Sequence, residues 1–184
     1  MMSEFEAFLQ RQCRLLKRSD VSEAMEYSLM GKGKRLRPQL LFAVVEGYGV
    51  SAQEGFWAAG ALEMMHTYSL IHDDLPAMDN DDYRRGRKTC HKQFNEATAI
   101  LAGDGLLTQA FALAANSSND PVKALKIVKE LASAGGVEGM ILGQIKDLEA
   151  ENSQAVTLEQ RRWSWVRFWP GRTRPFRNGG GSVL

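Results

Sequence analysis

The sequence is poor in cysteine. Its two, Cys13 and Cys90 of 184 residues, show no metal-type spacing, and a reduced, cytoplasmic setting is the default expectation. No stretch of about 18 apolar residues is present, so no transmembrane helix is predicted. The start, Met1 to Glu6, is acidic and lacks a basic segment followed by an apolar core, so no signal peptide is expected. Neither charge sign dominates. Lys and Arg number 23 against 22 Asp and Glu, a formal +1, which gives no global electrostatic case for nucleic acid or membrane. Asn-Gly and Asp-Gly turns between β-branched runs are missing as well, and strict alternation is rare.

What is present is helical. Apolar residues recur at spacings of three and four, which predicts an all-α domain. Asp20 with Glu23 fits a capping pair, and Gly31 suits the stop. Pro38 fits a first helical position ahead of Leu40, Leu41, Val44 and Val45. Ser51 with Glu54 opens a long apolar segment through Leu70. Asn95 caps a run to Ala115, and Asp120-Pro121 opens another, which Gly135-Gly136 interrupts before Val137 to Glu151.

The last segment differs from the rest. From Arg161 to Leu184 there is no Asp, Glu or Lys, but there are six arginines and three of the four tryptophans. Thr157 to Gln160 reads as a capping box, yet the residues that follow carry no amphipathic stripe. Such a conflict of local and global signals is unusual in an evolved fold. The expected division is therefore 1–160 as one domain, with 161–184 an Arg/Trp/Gly-rich tail read as non-native, possibly out of frame. A basic aromatic tail for RNA or membrane is the alternative.

The centre of the chain is His72-Asp73-Asp74-Leu75-Pro76-Ala77-Met78-Asp79-Asn80-Asp81-Asp82. Like charges this close repel without a counterion, and a helix C-terminus disfavours carboxylates. A hard cation resolves the conflict, since Mg²⁺ binds through a few carboxylates plus substrate phosphates. Asp73 and Asp79, six apart, do not share a helix face, so they converge only if the helix is distorted, and Pro76 supplies a distortion. A solvated acidic turn is the bland alternative. His66 lies two turns before Asp73 on the same face.

Basic clusters flank the acids: Gly31-Lys32-Gly33-Lys34-Arg35-Leu36-Arg37-Pro38 before, Arg84-Arg85-Gly86-Arg87-Lys88 after. Neither is a Walker loop, because the terminal Lys-Ser/Thr is missing. Taken singly each reads as a surface charge run. Together, basic-acidic-basic suggests a diphosphate held by metal on one side and by Arg and Lys on the other. Gln144 and Asp147, three apart, share a helix face among Met140, Ile141 and Leu148.

These strings resemble the trans-isoprenyl diphosphate synthases, in particular the bacterial farnesyl diphosphate synthases. Gly33 to Pro38 is similar to their GKRxRP signature. Leu62 to Asp79 resembles their first aspartate-rich motif in its DDxxxxD form. Arg84-Arg85-Gly86, Ala102-Gly103-Asp104 and Gly143-Gln144-x-x-Asp147 also match. The likeness spans roughly Phe5 to Gln160.

The resemblance implies an isoprenoid-synthase-type helical bundle, here truncated. It implies Mg²⁺-dependent condensation of an allylic diphosphate, dimethylallyl or geranyl, with isopentenyl diphosphate. Asp73, Asp74 and Asp79 would bridge the metal to the allylic diphosphate. Arg84 would contact that diphosphate, with Gln144 and Asp147 in support. Lys34, Arg37, His66 and Arg85 would hold isopentenyl diphosphate. Departed diphosphate is the expected proton acceptor, so no protein base is nominated. Tyr68, five before Asp73, with Ser69 beside it, would set chain length at fifteen carbons, with geranylgeranyl diphosphate the alternative product. A homodimer is implied for the intact family member, with neither nucleic acid nor membrane as partner.

The family's second motif, DDxxD, is missing from the 184 residues, as are its KT-type motif and third Mg²⁺ site, which predicts impaired activity. Rival readings are a non-catalytic partner of a full-length synthase and a terpene cyclase fragment. The intact acidic motif argues against the first and the GKRxRP string against the second.

Overall fold

The computed structural model describes residues 1–152. It divides into two compact units, Met1–Leu131 and a second that starts at Ala132. The capping box at Thr157 and the segment 161–184 lie outside the described residues.

The fold is α-helical, as the periodicity predicts. The first unit holds α1 (Met2–Arg14), α2 (Asp20–Leu29), α3 (Leu36–Gly47), a 3₁₀ turn (Ala52–Gly55), α4 (Phe56–Asp73), the short α5 (Cys90–Gln93), α6 (Glu96–Ala115) and the start of α7 (Pro121–Gly135). Between α4 and α5 sits a miniature antiparallel pair, β1 (Tyr83–Arg84) and β2 (Arg87–Lys88). The second unit contains the end of α7 and α8 (Met140–Asn152). Val137, Ile141 and Ile145 of this unit present apolar side chains to solvent.

Several boundaries follow local chemistry. Asn95 caps α6, its Oδ1 accepting from the Thr98 amide at 2.8 Å. Asp120 does the same for α7 through the Val122 amide at 2.9 Å, with Pro121 as first residue. Other starts differ from expectation. Ser19, not Asp20, caps α2, in a reciprocal box with Ser22. Ser51 accepts from Gln53 and caps only the 3₁₀ turn, while α4 begins at Phe56. Helix α3 begins at Leu36, two residues before Pro38, because Arg35 takes a left-handed conformation (φ 47°) that ends the preceding loop.

The core is built around α4, which packs most extensively on α6. Phe5 and Phe8 of α1 meet Phe42, Phe56 and Trp57 from α3 and α4. Phe5–Phe42 and Phe8–Trp57 are edge-on at 5.2 and 5.1 Å. Gly103 explains the close approach of α6 to α4, since a Cβ there meets His72 Nε2 at 2.1 Å. The family-like Ala102-Gly103-Asp104 string thus does packing work, with Ala102 fully buried. By length and composition α6 passes as a membrane-crossing helix. Its Ala99, Ala102, Leu106, Ala110 and Leu113 are spent on the interior of this unit.

Candidate functional site

The basic loop between α2 and α3 is anchored by its least accessible member. The Arg35 guanidinium is buried. Its Nη1 donates to Glu63 Oε1 of α4 at 2.8 Å, and its Nη2 to the Leu29 carbonyl at 2.7 Å and the Gly31 carbonyl at 3.4 Å. Nε lies 3.7 Å from Glu6 of α1. Lys32 and Lys34 on either side of Gly33 are exposed, and Arg37, the second residue of α3, is half-buried. Burial lowers the pKa of Arg37, the Glu63 charge opposes this, and Arg85 adds to it.

The acidic motif is a helix end that folds back. The helix stops at Asp73 instead of continuing distorted through Pro76. The Asp79 amide donates to the Asp73 carbonyl at 2.8 Å, and the Asp81 amide to the Asp74 carbonyl at 3.2 Å. The turn therefore returns the backbone of Asp79 to the helix terminus, which a continuous helix would not do. Asp73 and Asp74 are both buried. Asp74 is gripped side-on by Arg84, whose Nε donates to both carboxylate oxygens at 2.8 and 2.9 Å while Nη2 donates to Oδ1. Burial by itself lowers the Arg84 pKa. The Asp74 bond and the Asp73 and Asp81 charges outweigh that and raise it.

The second basic cluster is displayed on the β1–β2 turn. Arg85 (φ 53°) and Gly86 (φ 78°) both take left-handed conformations, as a tight hairpin requires. Tyr27 of α2 holds the hairpin in place. Its hydroxyl donates to the Lys88 carbonyl at 2.9 Å, and Arg87 stacks 4.1 Å above its ring. Arg85 Nη1 donates to the Lys32 carbonyl at 2.9 Å. Gly33 makes room for it, because a Cβ there meets that guanidinium at 2.4 Å.

One open cleft, about 610 Å³ including its mouth, gathers Lys32, His66, Asp74, Arg84, Arg85 and Arg87, with Arg35 and Glu63 at its wall. Of the residues singled out in the sequence, His66, Asp74, Arg84 and Arg85 line it together. Arg37 belongs to the same electrostatic cluster. Burial pushes the His66 pKa down to about 3, assisted by the charges of Arg37, Arg85, Arg84 and Arg35. His66 is therefore neutral here. Lys34, Arg37, Asp73 and Asp79 do not line this cleft. Tyr68 is buried with its ring edge-on to His72 at 5.8 Å. Burial raises its pKa and the nearby Asp73 charge adds to this. Ser69 Oγ donates to the His66 carbonyl at 2.9 Å. Gln144 (half-buried) and Asp147 (exposed) lie on α8 in the second unit. Arg35, Glu63 and Tyr27 are the organising residues that sequence reading passed over. The only sequence signal for the first was its place inside GKRxRP.

Among the described residues, no three or more His, Cys, Asp or Glu side chains are gathered into a cation cage. The donor set nonetheless fits Mg²⁺, which is held through one or two carboxylates, waters and substrate phosphates and seldom by an all-protein cage. The two adjacent buried carboxylates of Asp73 and Asp74 are of the kind that would serve such an ion.

The fold and the cleft define an α-helical protein whose acidic turn and two basic clusters contribute to one charged cleft. The polyprenyl synthetase family model matches residues 18–166, and the chain belongs to that family. It is 56% identical over 143 residues to farnesyl diphosphate synthase of Bacillus subtilis, covering 76% of this chain and 48% of the relative. It is 48% identical over 141 residues to a chloroplastic geranylgeranyl pyrophosphate synthase of Capsicum annuum, covering 76% and 38%. The chain thus spans about half the length or less of the curated relatives it matches. Among solved structures it superposes on a geranyltransferase from Legionella pneumophila with a TM-score of 0.86 at 37% identity, over 90% of this chain and 60% of that one.

Proposed function

We propose that the chain carries the first aspartate-rich motif and the isopentenyl diphosphate pocket of a Mg²⁺-dependent prenyltransferase that makes farnesyl diphosphate. The observation that carries this reading is the single cleft in which Asp74, Arg84, Arg85 and His66 meet beside the GKRxRP loop. Lys34, Arg37, His66 and Arg85 hold isopentenyl diphosphate. Asp73, Asp74 and Asp79 would be the metal ligands and Arg84 would face the allylic diphosphate; Gln144 and Asp147 are assigned to the allylic side by the family resemblance alone. When bound, Mg²⁺ supplies positive charge against the departing diphosphate. The allylic C–O bond breaks with its electron pair leaving on diphosphate. The double bond of isopentenyl diphosphate gives its pair to the allylic carbon, and a proton then passes to the departed diphosphate, restoring the alkene. The Arg and Lys groups act by preorganised electrostatics and need not move at the moment of reaction.

Isothermal titration tests the binding half. The 184-residue chain is expected to take up isopentenyl diphosphate, and Arg85→Ala to weaken it by about tenfold, the value of one lost charged contact near 1.4 kcal/mol. A folded chain that binds neither isopentenyl diphosphate nor geranyl diphosphate with Mg²⁺ overturns the reading. By itself the chain is expected not to condense the two, because the second acidic motif is missing from its sequence. Size exclusion tests the homodimer that belongs to this reading.

Product length follows from Tyr68, with geranylgeranyl diphosphate the alternative because a relative of that name also matches closely. A chimera joining this chain to the second half of the Bacillus subtilis relative is expected to give fifteen-carbon product. Tyr68→Ala is expected to lengthen it. Unchanged length in that variant removes Tyr68 from the role.

A further inference from the structure

We propose that Arg35 is a positioning residue for the diphosphate pocket, and that the buried Arg35–Glu63 pair fixes the Gly31–Arg37 loop against α4 without touching ligand. The inference rests on the diphosphate-binding reading above.

Two features separate Arg35 from the other cations of the cluster, and a third, a left-handed backbone, it shares only with Arg85 among them. Its side chain is 6% exposed, as is that of Glu63, whereas Lys32 and Lys34 face solvent. Its guanidinium ties the end of α2 (Leu29 and Gly31 carbonyls) to the middle of α4 (Glu63), with Glu6 of α1 nearby. Its backbone takes a left-handed φ of 47°, uncommon for a residue with a Cβ, at the point where the loop enters α3. The planar fork makes these contacts at once, which a lysine ammonium on a flexible stem does not reproduce.

The charge pattern gives the pair its purpose. Arg35, Arg37, Arg84 and Arg85 all act on His66 with the same sign. Glu63 is the carboxylate set against this cluster. It bonds Arg35 directly and favours the charged form of Arg37. The Glu63 carbonyl also accepts the Thr67 hydroxyl at 2.8 Å, within the α4 stretch that carries His66. One buried carboxylate thereby sets the loop's register and offsets part of the like-charge repulsion that an empty anion pocket suffers.

The test compares Arg35→Gln, Glu63→Gln and the double variant in the 184-residue chain, with Arg35→Lys as a milder fourth variant. Two quantities are measured: inorganic diphosphate affinity by calorimetry, and amide exchange by NMR. Each single variant is expected to lose about tenfold or more in affinity. It is also expected to speed exchange at Met30 and Gly31, at the end of α2 whose carbonyls Arg35 holds, and at Gln39, whose amide donates to the Arg35 carbonyl, by at least about tenfold relative to Leu106 and Leu113 of α6. The double variant removes both buried charges, so its melting temperature recovers relative to the singles while its affinity stays low. A purely structural pair gives recovery of both together, or equal loss of protection throughout α6, and either result overturns the proposal. If the parent chain does not bind diphosphate at all, the functional reading fails. The exchange data still decide whether Arg35 and Glu63 hold the loop.

Discussion

The acidic turn and the basic loop face the same physical problem and solve it differently. Each crowds like charges into a small volume. At the acidic turn Asp74 is neutralised by Arg84, which is 23% exposed and reachable by solvent and ligand. At the basic loop the counterion pair Arg35–Glu63 is 6% exposed on both sides. On the proposed reading the first pair exchanges: a cation would take the carboxylate and leave the guanidinium for a phosphate. The second is fixed, because separating it strands a charge in the interior. If the cleft takes up anions as proposed, the two kinds divide the work, one answering the ligand and one keeping the pocket's shape.

That contrast breaks most visibly at the fixed pair. Glu63→Ala leaves Arg35 buried without its carboxylate and is expected to cost about 3–5 kcal/mol, read as a lowered denaturant midpoint. If the loss is below about 1 kcal/mol, the interior tolerates Arg35 alone and the distinction collapses.

At the exchangeable pair the cost is smaller and depends on ligand. Arg84→Ala is expected to destabilise the chain by about 2 kcal/mol, the scale of charge-assisted hydrogen bonds. In the presence of Mg²⁺ the loss shrinks, since a cation replaces the guanidinium beside Asp74. In the parent chain, Mg²⁺ with diphosphate is expected to raise the melting temperature, through a stabilisation of about 2.7 kcal/mol at a ligand concentration one hundred times Kd. A penalty for Arg84→Ala that is indifferent to Mg²⁺ shows that the pair does not exchange.

The smallest effect is on pH. Unfolded His66 gains a proton near its ordinary 6.5, while the folded chain resists protonation down to about 3. The stability tied to neutral His66 is therefore full above 6.5 and lost as pH falls through that window. The groups acting on it are Arg37, Arg85, Arg84 and Arg35, so bound diphosphate is expected to draw the His66 pKa upward. Denaturant midpoints at pH 7.5 and 5 are expected to differ less in His66→Gln than in the parent. Equal differences place the acid sensitivity elsewhere.

The helices were legible where short-range chemistry decides them. Asn95 and Asp120 cap as read because a side-chain oxygen two or three residues from a free amide needs nothing else. The start of α2 was misread by one residue, since Ser19 and Asp20 are both good caps and only the backbone distinguishes them. The β1–β2 hairpin was not legible. Its turn is Arg85-Gly86, without the Asn or Asp that marks such turns, and Tyr27 holds it from 61 residues away in sequence. Of the site, His66, Asp74, Arg84 and Arg85 were readable because their motifs are contiguous strings. Arg35–Glu63 was not, because a partner 28 residues away is invisible to spacing.

The sequence by itself determined the helical class, the family and the order of charges along the chain, since periodicity and motif strings are local properties. Tertiary structure alone decided which charges are partners. Burial and distance between separate elements pair Arg35 with Glu63 in the interior and Arg84 with Asp74 at the cleft, although both read as identical arginines in basic runs.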